Sequence, residues 1–519
     1  MTKEKKITIK IALIVAMGGF LMGFDASVIS GVVKFIETEF QLTKLELGWA
    51  VSSLSLTATL AMMTAGPLSD KFGRKRLLKY TSIIFGISAV GSAFAPTFII
   101  FVIARMLGGL GVGASLILAP LYIAEISPAK IRGQMVSFNQ LNIVLGISVA
   151  FFTNYLILQL GESDASWVHS LKLGQWNWRW MLGLEILPAI LYYVALFVVP
   201  ESPRWLAMHE KEGEALEIMQ KITTKEKAKE QLKAVHDSMA GDTGKERVSI
   251  KELFKPAMRF VLFIGIGLAI LQQVTGINAV LFYAPMIFEQ SGIGTDASFI
   301  QAILVGLTNL VFTIIAILLI DKLGRKPLLI FGMAFMTISL FVLASGFNSA
   351  TYTLSQDSVN GLPTEIKSSQ LTSLIGQTFD DELTYKVALT KSLGETILKE
   401  HESSLITAAV SINSMLILLG ILGFVAAFAV SIGPIMWVMF SELFPNKIRG
   451  VAISFVGLIS SAISFGIQFV FPWELANLGN AKTFLIFGVF AAIGFVFIVW
   501  KVPETKGKSL EEIEALLVK

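Results

Sequence analysis

Apolar residues run in long blocks along this chain, separated by short polar intervals. A helix needs about 20 mostly apolar residues to cross a bilayer. Twelve blocks reach that length, over residues 11–33, 47–69, 77–95, 98–122, 134–160, 177–199, 259–287, 298–320, 327–346, 406–440, 446–471 and 482–502. The pattern predicts an all-α membrane protein of twelve spans. The first block is too long for the apolar core of a signal peptide, and the residues around Asp25 lack a cleavage site's flanks.

Two polar segments interrupt the series. Residues 201–257 are rich in Lys and Glu, with Leu216, Met219 and Ile222 at helical spacing, and read as a helical linker between two halves. Residues 347–404 are rich in Ser, Thr and Asp, and Leu389, Leu393 and Ile397 predict one amphipathic helix near 380–400. This segment is long against ordinary connections. Being mostly polar and outside any repeat, it is expected to be dispensable for the protein's main activity.

Basic residues orient the spans. Lys3, Lys5, Lys6 and Lys10 precede the first. Lys71, Arg74, Lys75, Arg76 and Lys79 follow the second, and Lys322, Arg325 and Lys326 follow the eighth. The loop after span 3 has no basic residue, and that after span 7 has Glu289 and Asp296 but neither Lys nor Arg. Both termini are therefore expected in the cytoplasm, and 347–404 outside. The chain has no Asn-x-Ser/Thr sequon, which fits a bacterial inner membrane.

Composition narrows the function. Hydrophobic residues make up 54% and charged ones 15%, against about 25% charged in soluble domains. The net charge of +4 gives no basic surface for nucleic acid. The absence of cysteine removes disulfides, thiolate metal sites and cysteine nucleophiles. His169, His209, His236 and His401 lie outside the spans and form no ligand cluster, so neither a metal nor a cofactor is expected. With no histidine in a span, Ser–His–Asp hydrolysis has no support. Gly507-Lys508-Ser509 resembles the end of a phosphate loop, but Val502 stands where its first glycine is required. The glycines of Gly108–Gly113 are wrongly spaced for a dinucleotide loop; Gly109 and Gly113 suit close helix packing instead. An enzyme is the least supported class.

An internal repeat points to transport. Asp70-Lys-Phe-Gly-Arg-Lys75 follows span 2, and Asp321-Lys-Leu-Gly-Arg-Lys326 follows span 8. Glu125-Ile-Ser-Pro-Ala-Lys-Ile-Arg-Gly133 follows span 4, and Glu442-Leu-Phe-Pro-Asn-Lys-Ile-Arg-Gly450 follows span 10. Pro200-Glu-Ser-Pro203 closes span 6, and Pro503-Glu-Thr-Lys506 closes span 12. Three motifs thus recur in the same order in two six-span halves, as in duplicated secondary transporters. The expected domains are 1–200, a linker 201–257, a second bundle 258–502 carrying the insertion 347–404, and a tail 503–519. Asp70, Glu125, Asp321 and Glu442 stand beside Arg74, Arg132, Arg325 and Arg449. Charges so placed can pair across helix ends, and a network that forms in one conformation and breaks in another is a cytoplasmic gate.

With these motifs the chain resembles the sugar porter family of the major facilitator superfamily, over all twelve spans and the linker. Further carriers are Gly23-Phe-Asp-Ala-Ser-Val-Ile-Ser-Gly31, Arg105-Met-Leu-Gly-Gly-Leu-Gly-Val-Gly113, Pro200-Glu-Ser-Pro-Arg-Trp-Leu206, Gln272-Gln-Val-Thr-Gly-Ile-Asn278, Gly433-Pro-Ile-Met-Trp437 and Pro503-Glu-Thr-Lys-Gly507. The insertion 347–404 has no counterpart in that pattern. The resemblance implies a sugar cavity containing Gln140, Gln272, Gln273, Asn278, Asn309 and Trp437. Amides both donate and accept, which suits a neutral polyol, and a tryptophan face suits a sugar ring. The other reading of these amides is hydrogen bonding between helices. Phe282 stands where xylose–proton symporters of the family carry tyrosine, and Ser460 and Ser461 where they carry glutamine and tryptophan, so xylose does not transfer.

Asp25 is the clearest ionisable group deep in a span. Burial disfavours its charge and a nearby Arg105 would favour it. In the family, aspartate here goes with proton symport and asparagine with facilitated diffusion. The sequence thus leads to a proton-coupled symporter for a hexose, pentose or cyclic polyol, working as a monomer in the bilayer. A uniporter for the same sugars and a non-transporting sensor remain the alternatives, as does a purely structural Asp25–Arg105 pair.

Overall fold

The computed structural model describes residues 3–128, 131–230, 232–233, 250–363, 365–366, 368–445, 448–508 and 512–514, except the side chains of Lys3 and Arg132. The first five spans are continuous helices, Lys3–Glu39, Lys44–Phe72, Arg74–Ala93, Phe98–Ile126 and Arg132–Gly161. Several starts have a local cause. Thr43 and Glu46 form a reciprocal capping box, and the Thr97 side chain accepts from the Ile100 amide. Gly73 (φ 95°) turns span 2 into span 3, and Gly324 (φ 98°) does the same between Thr295–Leu323 and Arg325–Asn348, spans 8 and 9. Only glycine takes that conformation without strain.

Spans 6, 7 and 10 are broken. Span 6 consists of Asn177–Gly183 and Ile186–Ala195. Span 7 runs through Arg259–Val274, Ile277–Phe282 and Ala284–Gln290, interrupted where Gly276 takes φ 84°. Span 10 is Ser414–Val430 followed by Ile432–Leu443. Spans 11 and 12 lie within Arg449–Lys501, parted at Gly479 (φ 78°). A break frees backbone groups in a setting without water, so it persists only where side chains or other helices satisfy them.

Glycine also sets how near the helices come. A Cβ on Gly109 would collide with the Leu54 carbonyl, and one on Gly113 with that of Ala58, so spans 2 and 4 touch backbone to backbone. Gly48 of span 2 meets the backbone of Phe469 in span 11 the same way, joining the two halves. Further contacts between the halves include Lys34 to Glu289 (2.9 Å) and Thr295 (2.7 Å), Ser55 to Gln468 (2.9 Å), Ser148 to the Gly306 carbonyl (2.9 Å), and Trp49 edge-on to Phe465 and Phe469. They sit midway along the spans or toward the face opposite the termini, hereafter the far face.

The insertion differs from its sequence reading. It is a small folded body, not a polar loop with one helix. Thr351–Thr353 pairs antiparallel with both Thr378–Phe379 and Val410–Ser411 in a three-stranded sheet. Its helices Glu382–Leu393 and Glu395–Ala409 part at Gly394 (φ 84°). Tyr352, Leu371, Tyr385, Leu389, Leu405 and Ile406 form a core of its own. Span 10, expected over 406–440, therefore begins only at Ser414. The apolar run Leu405–Val410 mimics the start of a span, because a soluble core and a lipid face select the same side chains.

Charges bind this body to both halves on the far face. Lys386 sits 2.5 Å from Glu382 and 2.6 Å from Glu402. Glu402 also reaches Lys44 (3.6 Å), which pairs with Glu37 (2.6 Å). Asn480 donates to Glu382 (2.9 Å). Burial pushes the Glu402 carboxyl up, but Lys386 and Lys44 outweigh it and bring it down to about 2 from the ordinary 4.5. A depressed carboxyl stabilises fully above its unfolded value and loses that contribution as pH falls through its folded one. Glu402→Gln is expected to cost about 1–3 kcal/mol at pH 7. Its deficit against the parent should shrink as pH falls from 4.5 toward 2. Thermal unfolding in detergent at pH 7 and pH 3 checks both; an equal deficit at the two would refute the assignment.

Candidate binding and coupling site

Two groups of polar side chains lie inside the spans. The first joins spans 1 and 4. Asp25 and Arg105 are 0% and 1% exposed and form a direct ion pair through Arg105 Nη1 and Asp25 Oδ1. Arg105 Nη2 also donates to the Asp25 carbonyl (3.1 Å). Asp25 Oδ2 and Arg105 Nε are buried without a partner. The glycine run of span 4 makes the room: a Cβ on Gly108 would stand 2.6 Å from Asp25 Oδ2 and 2.5 Å from Ser88 Oγ. A charge buried in this setting needs a partner, and here each group is the other's.

Sequence reasoning missed a third member. Glu185 lies at the break in span 6, is 1% exposed, and leaves Oε1 without a partner. It interacts electrostatically with Asp25 and then Arg105. The signal was available, since Glu185 is a lone carboxylate in the apolar block 177–199. Nothing in its neighbours announced that span 6 faces span 1 there.

The second group surrounds the breaks of spans 7 and 10. Gln272 donates to the Gly433 carbonyl (3.2 Å), a backbone group that belongs to the interrupted span 10. Gln273 donates to Ser460 (3.1 Å) and to Gln272 (3.1 Å), and Asn278 donates to Gln273 (2.9 Å) and Ser464 (2.8 Å). Gln468 donates to Ser464 (2.7 Å) and accepts from Ser55 of the first half (2.9 Å). The expected amides of span 7 thus open a polar line along span 11 that ends on span 2. Ser464 and Gln468 were not singled out, although Ser460, Ser464 and Gln468 recur every fourth residue on one helix face.

Gln140 on span 5 and Asn309 on span 8 have no side-chain partner among the described residues; Gln140 is half-buried and Asn309 buried. Trp437 is 40% exposed, edge-on to Phe440 at 5.8 Å, with Gly457 of span 11 beside its ring. Phe282 is buried in the large core.

The charged turns at the face bearing the termini repeat the sequence duplication. Arg74 grips Glu125 through Nε and Nη2 (both 3.1 Å) and reaches Asp70 (2.8 Å). Arg325 grips Glu442 (3.1 and 2.8 Å) and reaches Asp321 (3.1 Å). Glu201 accepts from the Lys75 amide (3.0 Å) and Glu504 from the amides of Arg325 and Lys326 (3.1 and 3.0 Å), so each closing motif caps the start of span 3 or 9 with a carboxylate. Ser202 and Thr505 then donate to Glu125 and Glu442 (both 2.5 Å). Each network lies within its own half. Arg449, expected beside Glu442, instead donates to the Phe444 carbonyl (3.1 Å), because its helix begins after a turn that aims it back along the chain. The side chain of Arg132 lies outside the described residues.

Gly108→Ala is expected to cost about 1–3 kcal/mol through crowding of the Asp25 carboxyl, whereas Gly66→Ala, with nothing within 4 Å of the added carbon, should be neutral or stabilising. Thermal unfolding of both variants in detergent checks this; equal melting points would refute it.

The site agrees with what the chain is similar to. The model of the family described as "Sugar (and other) transporter" matches residues 11–364 and 389–517, so most of the insertion except 365–388 does have a counterpart in the family. The arabinose-proton symporter of Bacillus subtilis is 37% identical over 511 residues, spanning 98% of this chain and 95% of the relative. The D-xylose-proton symporter of Escherichia coli K12 is 34% identical, spanning 98% and 95%. Among solved structures, the inward open conformation of the xylose transporter XylE from E. coli superposes with a TM-score of 0.74 at 32% identity, covering 98% of this chain and 100% of that one. The same protein bound to 6-bromo-6-deoxy-D-glucose gives 0.70 at 33% identity, covering 99% and 100%. Twelve spans in two halves, paired charged turns and a polar line through broken helices make this chain a multi-pass membrane protein of the sugar transporter family.

Proposed function

We propose that the protein couples proton entry to uptake of a monosaccharide by alternating access. The two bundles, 1–200 and 258–502, move against each other in a monomer, with both termini and the linker in the cytoplasm. The observation that carries this reading is the buried Asp25–Arg105 pair with one carboxylate oxygen left unpartnered. A proton on Asp25 removes the charge that holds Arg105, and span 1 is then free to shift against span 4. Loss of the proton re-forms the pair. Glu185 stands near enough to sense both states. The driving force suffices: one charge crossing 100 mV is worth about 2.3 kcal/mol. At ~1.4 kcal/mol per decade this sustains roughly a 50-fold sugar gradient.

The orientation follows from the basic turns at the face bearing the termini. On that orientation the contacts between the halves close the external side, and the conformation faces inward. The polar line Gln272–Gln273–Asn278–Ser460–Ser464–Gln468, with Gln140, Asn309 and the exposed face of Trp437, supports a sugar site between the halves. The names of the relatives point to an aldose. Ser460 and Ser461 leave it roomier than a site lined there by glutamine and tryptophan, so the particular sugar is this chain's own. The Arg74–Glu125 and Arg325–Glu442 networks hold each half rigid at its cytoplasmic end while the gate between them opens.

Asp25→Asn mimics the protonated state permanently. It should abolish uphill uptake into proteoliposomes under an inward proton gradient while sugar exchange at equilibrium continues. Uphill uptake surviving in the variant would refute the coupling role, and equal gradient-independent uptake by the parent would make the protein a uniporter. Asn309→Ala removes an amide that no other side chain among the described residues uses. Sugar affinity should fall by about 1–3 kcal/mol, or roughly 5- to 150-fold in Kd, with unchanged melting of the sugar-free protein. An unaltered Kd by calorimetry would remove Asn309 from the site.

A further inference from the structure

The duplication predicts like packing in both halves, and at one place the halves differ. Spans 3 and 6 enclose an apolar groove of about 530 Å³ floored by Ser82, Gly86, Gly91 and Ala189 and walled by Ile83 and Tyr193. Nothing stands within 4 Å of a Cβ built on Gly86. In the register set by Asp70 and Asp321, the second half carries Met333, Thr337 and Val342 in place of the three small residues of span 3. There Met333 packs on Gly494 and Phe341 on Gly488, so the space between spans 9 and 12 is filled. The groove therefore belongs to the first half and does not come with the shared architecture.

Its surroundings narrow the occupant. Ile83, Ile87, Val90 and Ile190 at its rim are 40–54% exposed on spans that cross the bilayer, so the groove opens to lipid. From Ser82 to Gly91 it runs about 13 Å at 1.5 Å per residue, close to one leaflet's share of a ~30 Å hydrocarbon core. A transmembrane helix would need the full thickness. The end nearer the termini is basic and physically continuous with the groove. Tyr193 meets Phe197 edge-on at 5.2 Å, the Lys79 ammonium lies 3.3 Å over the Phe197 ring, and the Lys75 ammonium donates to the Phe197 carbonyl (3.2 Å). Lys79 and Lys75 repel each other there, which an anion between them would relieve.

We propose that this groove is a binding site for one anionic glycerophospholipid of the leaflet on the terminal face. One acyl chain lies between spans 3 and 6, and the phosphate rests against Lys75 and Lys79. The chain fills a gap that would otherwise hold loosely packed lipid, and the lysines select headgroup charge. The occupied site braces span 6, whose break carries Glu185.

The test is native mass spectrometry of the full-length protein released from detergent, titrated with phosphatidylglycerol or phosphatidylcholine of identical chains. The parent should retain one phosphatidylglycerol under activation that strips the rest, and hold it at least fivefold more tightly than phosphatidylcholine, on a scale of about 1 kcal/mol per basic residue. Gly86→Leu should abolish retention of both lipids, and Lys79→Gln should erase the preference between them. Thr337→Leu, at the filled counterpart in the second half, should change neither. Circular dichroism melts keep misfolded variants out of the comparison. Equal retention by the parent and Gly86→Leu, or no preference for the anionic headgroup, overturns the proposal. Because the chain has no native cysteine, Ile87→Cys reports on the rival occupant; efficient disulfide dimers in native membranes would make the groove a contact between two copies and overturn the lipid assignment.

Discussion

Charge inside a bilayer has no water to fall back on, and the first half of this protein is arranged around that constraint. Asp25 and Arg105 are buried together, each the other's counter-ion. Their pairing needs spans 1 and 4 to approach at one height, and Gly108 supplies the clearance. Glu185 adds a second carboxylate to the same neighbourhood, at the one place where span 6 is interrupted. Three ionisable groups buried near one another are costly to desolvate, and only two of them are paired directly.

The second half handles polarity differently. Along spans 7 and 11 its buried polar groups are mostly neutral amides and hydroxyls bonded to one another, with Glu289 paired to Lys34 at the far face. At the break of span 10 the Ser431 hydroxyl answers the Ala427 carbonyl at the end of the first piece (2.5 Å), and Gln272 donates to the Gly433 carbonyl just beyond it. The line ends on Ser55 of the first half, so groups expected to meet a substrate also touch the contact between halves. A ligand that competes for these hydrogen bonds would be felt at that contact without any mechanical relay. The buried ion pair of the first half and the amide–hydroxyl line of the second thus differ in kind, although the two halves repeat the same turn motifs.

At the face bearing the termini the repeat is followed almost atom for atom. Arginine grips the glutamate of the next motif, and the closing motif caps a helix start with its own glutamate and donates a hydroxyl to the first. These networks run within each half, so they stiffen the moving bodies. In the described conformation the bonds that join the halves are found elsewhere, and Glu402 of the insertion contributes one of them through Lys44.

Much of this was legible from residue order alone. Spans are long apolar blocks because lipid rewards no other pattern, and the turns are marked by glycine and basic residues for local reasons. Gln272, Gln273 and Asn278 declared themselves as amides in an apolar run, and Asp25 as a charge in one. What local pattern could not convey was which faces meet. Glu185 was visible as a carboxylate, yet its proximity to Asp25 depends on how span 6 rotates at its break. Arg449 sits in the same motif position as its partners but turns to a backbone carbonyl. Leu405–Val410 reads as membrane and folds as the core of a small sheet-and-helix body. Sequence determined the number of spans, their order and the duplicated turns, since each of these rests on contacts within a few residues. The tertiary structure alone decided the partners of the buried polar groups, because hydrogen bonds and ion pairs form between residues far apart in the chain, at distances that only the packing of whole helices sets.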